Sequence, residues 1–103
     1  MNYPNLDKLI HEQSRLKILI YLSKKSPSKT TFTKIKKDLN MTSGNLSIQL
    51  KKIEQEKWIE QKKIIDKNKL KTYIKITKLG ETALNQYLND LESLISNLKG
   101  DTK

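Results

Sequence analysis

The sequence predicts a mainly α-helical chain with one small β-hairpin and a long C-terminal helix. Three observations predict it. Apolar residues recur at helical spacing through most of the chain, as Leu46, Leu50 and Ile53 do at i, i+4 and i+7. After Glu56 that spacing gives way to two β-prone runs, separated by the turn chemistry of Asp66-Lys67-Asn68-Lys69. Near the end, apolar positions repeat every seven residues, at 84/91/98 and 88/95, as along a coiled-coil seam.

Residues 5–22 read as helical in two pieces. Leu6, Leu9 and Ile10 form a short apolar face after Pro4. His11-Glu12-Gln13-Ser14 interrupts it, and Ser14 is placed to cap a second helix. Leu16, Ile18, Leu19, Ile20, Tyr21 and Leu22 are so densely apolar that this second helix is expected in the core. Ser26-Pro27-Ser28 is a turn signal. Thr30-Thr31-Phe32 is short and β-prone. Thr33 is expected to cap a helix through Leu39, with Phe32, Ile35 and Leu39 inward and Lys34, Lys36 and Lys37 outward. Asn40 suits the helix stop because it tolerates the left-handed conformation.

Thr42 then caps a helix over about 43–56. Opposite its apolar stripe a helical projection places Gly44, Ile48, Lys51 and Gln55, flanked by Asn45, Ser47 and Lys52. This outer face is small and hydrogen-bonding at its start and cationic one or two turns later. A helix entering a DNA major groove needs that order, with its first residues at base edges and its lysines at phosphates. An amphipathic surface helix with a lysine-rich wet side is the plainer alternative. Two helices over about 33–56, joined by so tight a turn, make a helix-turn-helix. Strands over about 58–66 and 70–77 follow, forming a hairpin over about 58–76 that carries Lys62, Lys63, Lys67, Asn68, Lys69 and Lys71. Lysines that guard a solvated sheet edge would look the same.

Thr77 is expected to cap the last helix, over about 78–98. Leu84, Tyr87, Leu88, Leu91, Leu94, Ile95 and Leu98 fall on one side of it, while Leu79 and Ala83 lie off that stripe and are expected on the body of the domain. So apolar a helix needs a cover. A second copy is expected to supply it, since two-fold homodimers are the commonest oligomers. Packing on the chain's own first helix is compatible with that. Residues 100–103 are expected to fray.

Composition narrows the partner. The 103 residues suit one domain with a modest core, and 35% apolar with 31% charged residues is an ordered balance. The net charge is +10, and most of it lies between residues 24 and 78, where sixteen lysines face five acids. A polyanion is the partner such a stretch suits. A lysine-rich codon bias would also raise the charge, yet the C-terminal segment is net acidic. There is no cysteine, so disulfides and thiolate metal sites are excluded, and His11 alone does not make a metal site. No catalytic constellation, cofactor motif, signal peptide or membrane-spanning run is present. A cytoplasmic, non-enzymatic protein is the expectation, and no residue pattern specifies a small-molecule effector.

Three segments carry a resemblance. Leu9-Ile10-His11-Glu12-Gln13-Ser14-Arg15-Leu16-Lys17-Ile18-Leu19 is similar to the first-helix signature of small archaeal and bacterial single-domain winged-helix regulators, with Gln13 where a proline is frequent. The run from Met41 to Glu54, with its Gly-Asn-Leu-Ser core, resembles their recognition helix. Tyr73-Ile74-Lys75-Ile76-Thr77-Lys78-Leu79-Gly80 resembles the junction that ends their wing. Together these look like a winged-helix DNA-binding domain of the MarR/ArsR type. The resemblance implies that Thr42, Ser43, Asn45, Ser47 and Gln49 face the groove or phosphates and that Lys51 and Lys52 hold the backbone. The projection agrees for Asn45, Ser47, Lys51 and Lys52, and places Gln49 nearer the core. Gly44 would admit close backbone approach, Ile48 would meet a thymine methyl, and Asn45 would pair with adenine N6/N7. Such helices often carry a polar or basic residue where this one has Ile48. The function expected is a homodimeric, sequence-specific regulator on double-stranded DNA, a repressor by preference, with its wing on the backbone or in the minor groove. A sequence-tolerant DNA-coating or architectural protein and a winged-helix protein-interaction module are the alternatives.

Overall fold

The computed structural model describes residues 4–100. Among them the elements run α1 (Lys8–His11), α2 (Gln13–Lys25), β1 (Thr30–Thr31), α3 (Phe32–Asp38), α4 (Ser43–Gln55), β2 (Ile59–Asp66), β3 (Lys69–Ile76) and α5 (Lys78–Gly100). The mainly helical class, the hairpin and the long last helix are as the sequence predicts. The expected fraying beyond Gly100 lies outside the described residues.

Two caps differ from expectation. Glu12, not Ser14, caps α2, its carboxylate accepting from the backbone N–H groups of Ser14 and Arg15, each at 3.1 Å. Two carboxylate oxygens satisfy two orphan donors at once, which one hydroxyl does not. Thr31, not Thr33, caps α3 by accepting from Lys34 N–H at 3.1 Å. Pairing of Thr31 with Tyr73 fixes its extended backbone just where the helix must start. Thr42 caps α4 as expected, accepting from Asn45 N–H at 3.1 Å. Asn40 has φ 52°, the left-handed stop expected of it.

The core gathers Ile10, Ile18, Leu19, Leu22, Ile35, Leu46, Leu50, Ile53, Trp58, Ile59, Ile74, Ile76, Leu84 and Tyr87. Each fully buried aliphatic side chain is worth about 1.5–3 kcal/mol of transfer free energy. The three residues from α4 therefore anchor it firmly with one face left out. The sheet has the order β1-β3-β2, all antiparallel. Lys67 and Asn68, at φ 51° and 64°, form the two-residue hairpin turn, both left-handed as a type I′ turn requires. Only the base of the hairpin, Ile59, Ile74 and Ile76, reaches the core. Its distal half stands in solvent.

At the junction into α5, Thr77 donates from Oγ1 to the Lys57 carbonyl (2.7 Å) and accepts from Gly80 N–H (3.0 Å). A Cβ on Gly80 would overlap the Trp58 carbonyl oxygen, so this face of α5 lies directly on the chain. That sets the rotation of the helix. Leu84 and Tyr87, one and two turns on from Gly80, are 2% exposed in the chain's own core. Leu79 lies on the other side and is exposed, against the expectation that it packs on the body, while Ala83 packs there partly buried. At about 1.5 Å per residue the 23-residue helix is about 34 Å long, and it accounts for the 61 Å long axis of a molecule only 25 Å and 21 Å across. His11, at the end of α1, hydrogen-bonds Tyr87 Oη through Nδ1 at 2.8 Å and ties the N-terminal helices to α5.

Candidate nucleic-acid interface

The turn between α3 and α4 is held by local bonds. Met41 N–H donates to the Lys36 carbonyl at 3.0 Å, which folds the chain sharply back after α3. On α3, Tyr21 Oη from α2 donates to Asp38 at 2.6 Å, and Lys34 Nζ lies 3.0 Å from the same carboxylate. The tyrosine hydrogen bond, then the lysine, hold the Asp38 carboxyl below its ordinary value. Partial burial, helped by the negative Asp38, raises the Tyr21 phenol above its own. One α3 lysine is thereby neutralised, while Lys36 and Lys37 project without an ion pair among the described residues.

Along α4, Leu46, Leu50 and Ile53 are buried, while Thr42, Ser43, Gly44, Asn45, Ser47, Ile48, Lys51 and Lys52 are exposed. Nothing in the chain lies within 4 Å of where a Gly44 Cβ would stand. Ile48 is 54% exposed, a large apolar group on a polar face. Gln49 lies where the helical projection puts it, toward the core, and not on the groove-facing side that the resemblance implies. It is 9% exposed and sits beneath the face, not on it. Its Oε1 accepts from Arg15 Nη1 at 2.7 Å, and its Nε2 donates to Asn45 Oδ1 at 3.0 Å. The inward side of the helix draws it in because a buried guanidinium there needs an acceptor.

Arg15, which the sequence did not single out as a site residue, lies beneath this face. It is 8% exposed, donates from Nε to the Leu9 carbonyl, and lies 3.8 Å from Glu12. Burial opposes the charge on Glu12, but the Ser14 and Arg15 backbone N–H groups and the Arg15 charge outweigh it and lower the carboxyl below its usual value. A signal was present: this is the one arginine of a lysine-rich chain, and it starts the most apolar helix.

The hairpin stands beside α4. A cavity of about 310 Å³ between them is lined by Phe32, Ser47, Leu50, Lys51, Gln61, Lys63 and Thr72. It brings Lys51 of the helix and Lys63 of β2 to one cleft, with the Ser47 and Thr72 hydroxyls as further donors. Successive strand residues point to opposite faces, so Lys62, paired with Tyr73, turns away to a second hollow with Lys29, Glu60 and Lys75. Lys67, Asn68 and Lys69 stand exposed at the tip. Lys71 is held 3.4 Å from Asp66, and Lys75 3.8 Å from Glu60. Among the described residues Lys51, Lys52, Lys63, Lys67 and Lys69 have no acidic partner. The arrangement offers hydrogen-bonding groups on a convex helix next to cations with no counter-charge. No group of described residues has the makings of a metal site, and no helix among them is long and apolar enough to cross a membrane.

Comparison with known proteins agrees with this geometry. Residues 14–95 match the model of a family described as the winged helix DNA-binding domain. An uncharacterized protein of Methanocaldococcus jannaschii is 36% identical over 92 residues, which are 89% of this chain and 98% of that one. The structure of a transcriptional regulator homologue from Pyrococcus horikoshii superposes with a TM-score of 0.79 at 28% identity over 87% of each chain. A mutant of S. aureus MepR bound to an oligodeoxyribonucleotide shares the fold, with a TM-score of 0.70 at 19% identity over 91% of this chain and 70% of that one. The helix-turn-helix, the adjacent hairpin and the match across 14–95 together show that this chain belongs to the winged-helix DNA-binding domain family.

Proposed function

We propose that the protein is a homodimeric, sequence-specific regulator of transcription that binds double-stranded DNA in the cytoplasm as one winged-helix domain. The observation that carries the proposal is the outer face of α4. Thr42, Ser43, Asn45 and Ser47 stand in solvent at its N-terminal end, and Lys51 and Lys52 follow one or two turns later. A major groove admits such a helix, with its first turns at base edges and its lysines at phosphates. Lys63, Lys67 and Lys69 then lie along the neighbouring backbone or the minor groove. Leu88, Leu91, Leu94, Ile95 and Leu98 of α5 bind a second copy, which sets two recognition helices about 34 Å apart on one side of the duplex. Occupancy of a promoter by such a dimer excludes the polymerase, so repression is its simplest consequence. The role is binding, without catalysis.

The test is selection of bound duplexes from a random pool by the purified protein. The expected result is a two-fold related pair of short motifs spaced by about one helical turn. A pool that comes through tightly bound but unenriched in any motif would turn the reading into that of a sequence-tolerant DNA-coating protein, with lysines supplying most of the affinity.

A further inference from the structure

The buried Arg15–Gln49 pair turns the Asn45 amide oxygen inward and leaves its nitrogen outward. The consequence for base recognition rests on the proposal that α4 enters the major groove. A guanidinium carries only N–H donors. Arg15 Nη1, 2.7 Å from Gln49, therefore obliges Gln49 to present its Oε1 there. Arg15 is itself fixed by the Leu9 carbonyl and by Glu12, so it cannot turn away to relieve this demand. With its oxygen committed, Gln49 points its NH2 group along the helix toward Asn45, 3.0 Å away, where only an oxygen can receive it. Asn45 Oδ1 is thereby engaged toward Gln49. Asn45 is exposed, and its Nδ2 has no partner among the described residues.

We infer that Asn45 presents a hydrogen-bond donor to DNA and prefers a keto base on the strand it faces, guanine, whose O6 and N7 both accept, or thymine, whose O4 accepts, over adenine, whose N7 alone accepts while its N6 amino group meets a second donor. Two-point pairing with adenine needs the Asn45 oxygen turned outward, and the relay turns it inward. This replaces the adenine N6/N7 pairing expected from the residue type alone. Each base pair offers one keto and one amino group in the major groove, so the polarity of a single amide chooses between them. Arg15 and Gln49 are positioning residues in this arrangement, since neither lies on the exposed face.

Replacing Gln49 by glutamate reverses the polarity. Gln49→Glu keeps an acceptor for Arg15 but has no donor for Asn45 Oδ1, so the Asn45 amide must flip to give its NH2 inward and its oxygen outward. Random-pool selections with wild type, N45A and Q49E test this. N45A identifies the base position by erasing its preference. Wild type is expected to select guanine or thymine there by about tenfold, and Q49E to select adenine or cytosine. R15M serves as a second variant should Q49E fold poorly. It removes the donor that orients Gln49, and both classes of base are then accepted equally. An unchanged keto preference in Q49E and R15M, or an adenine preference in wild type, overturns the inference. Side-chain amide NMR of the free protein separates this failure from that of the regulator reading. A through-hydrogen-bond coupling from Gln49 Nε2 to the Asn45 carboxamide, with rapid solvent exchange at Asn45 Nδ2, supports the relay without any DNA, and its absence overturns it. Should the coupling be present while wild type enriches no motif, the relay stands and the regulator reading falls, taking the base preference with it.

Discussion

Lys51, Lys69 and Lys71 look alike in the sequence and differ in their neighbours. The first two have no acid beside them among the described residues, whereas Lys71 lies 3.4 Å from Asp66. A lysine that neutralises a phosphate releases counterions, at about 0.9 in the logarithmic salt slope per contact. Lys51→Ala and Lys69→Ala are each expected to lower that slope by about 1 on every duplex, and Lys71→Ala by less, because Asp66 already competes for its charge. Titrations at several salt concentrations measure this; equal slopes for all three variants would remove the distinction. Glu12 acts on stability instead. Its carboxyl is lowered below the ordinary value of 4.5, so its contribution is present above that pH and is lost as the pH falls through the folded value. Replacing a cap by alanine costs about 1 kcal/mol, and the half-exposed position of Glu12 keeps it from exceeding that. Urea melts of wild type and E12A should differ by about this much at pH 7, and the gap should close as the pH falls below the ordinary carboxylate range. A gap that persists at low pH would show that the carboxylate charge is not its source.

At the scale of elements, α5 owes its direction to one glycine. Gly80 brings the helix backbone onto the Trp58 carbonyl, whose oxygen accepts from Thr77 N–H at 2.9 Å. Gly80→Ala forces that backbone apart. Overpacking of this kind costs about 1–3 kcal/mol, with the loss read as a lower midpoint in urea at unchanged m-value. A midpoint at or above that of wild type would mean that the junction yields freely. The same junction explains why the helix stripe packs differently from what its spacing predicts. Leu84 and Tyr87 belong to the seam by that spacing, yet the rotation set at Gly80 turns them into the chain's own core. Leu79 goes outward for the same reason.

On the scale of the whole molecule, the second half of α5 reaches past the body and carries apolar groups into solvent. Ile95 is 45% exposed and Leu98 79% exposed. Covering them takes another surface, and a self-complementary pair of α5 helices is the simplest one. Ile95→Asp with Leu98→Asp is expected to give a folded monomer by sedimentation, since neither residue contributes to the core. On the homodimer proposed above, loss of the second copy of α4 is then expected to weaken binding to a two-fold site by about 10²–10⁴. A double variant that remains dimeric would move the interface elsewhere.

Much of this is legible in local pattern. Helical spacing, the β-prone runs and the turn residues Asn40 and Thr42 are decided by neighbours within four positions along the chain, so the order of elements and the outward face of α4 can be read directly. Expectation and structure part where distant segments meet. Gln49 and Arg15 are 34 positions apart and satisfy each other only after α2 packs on α4. Lys62 and Lys63 point to opposite faces by strand alternation alone, but that Lys63 is the one facing α4 depends on how the hairpin packs beside the helix. Sequence by itself determined which surfaces are apolar, which are cationic and in what order they come, because those are properties of residue type and period. Only the tertiary structure decided which polar groups are withdrawn from water and how each amide is turned, because a buried donor must find its acceptor among whatever the fold brings near.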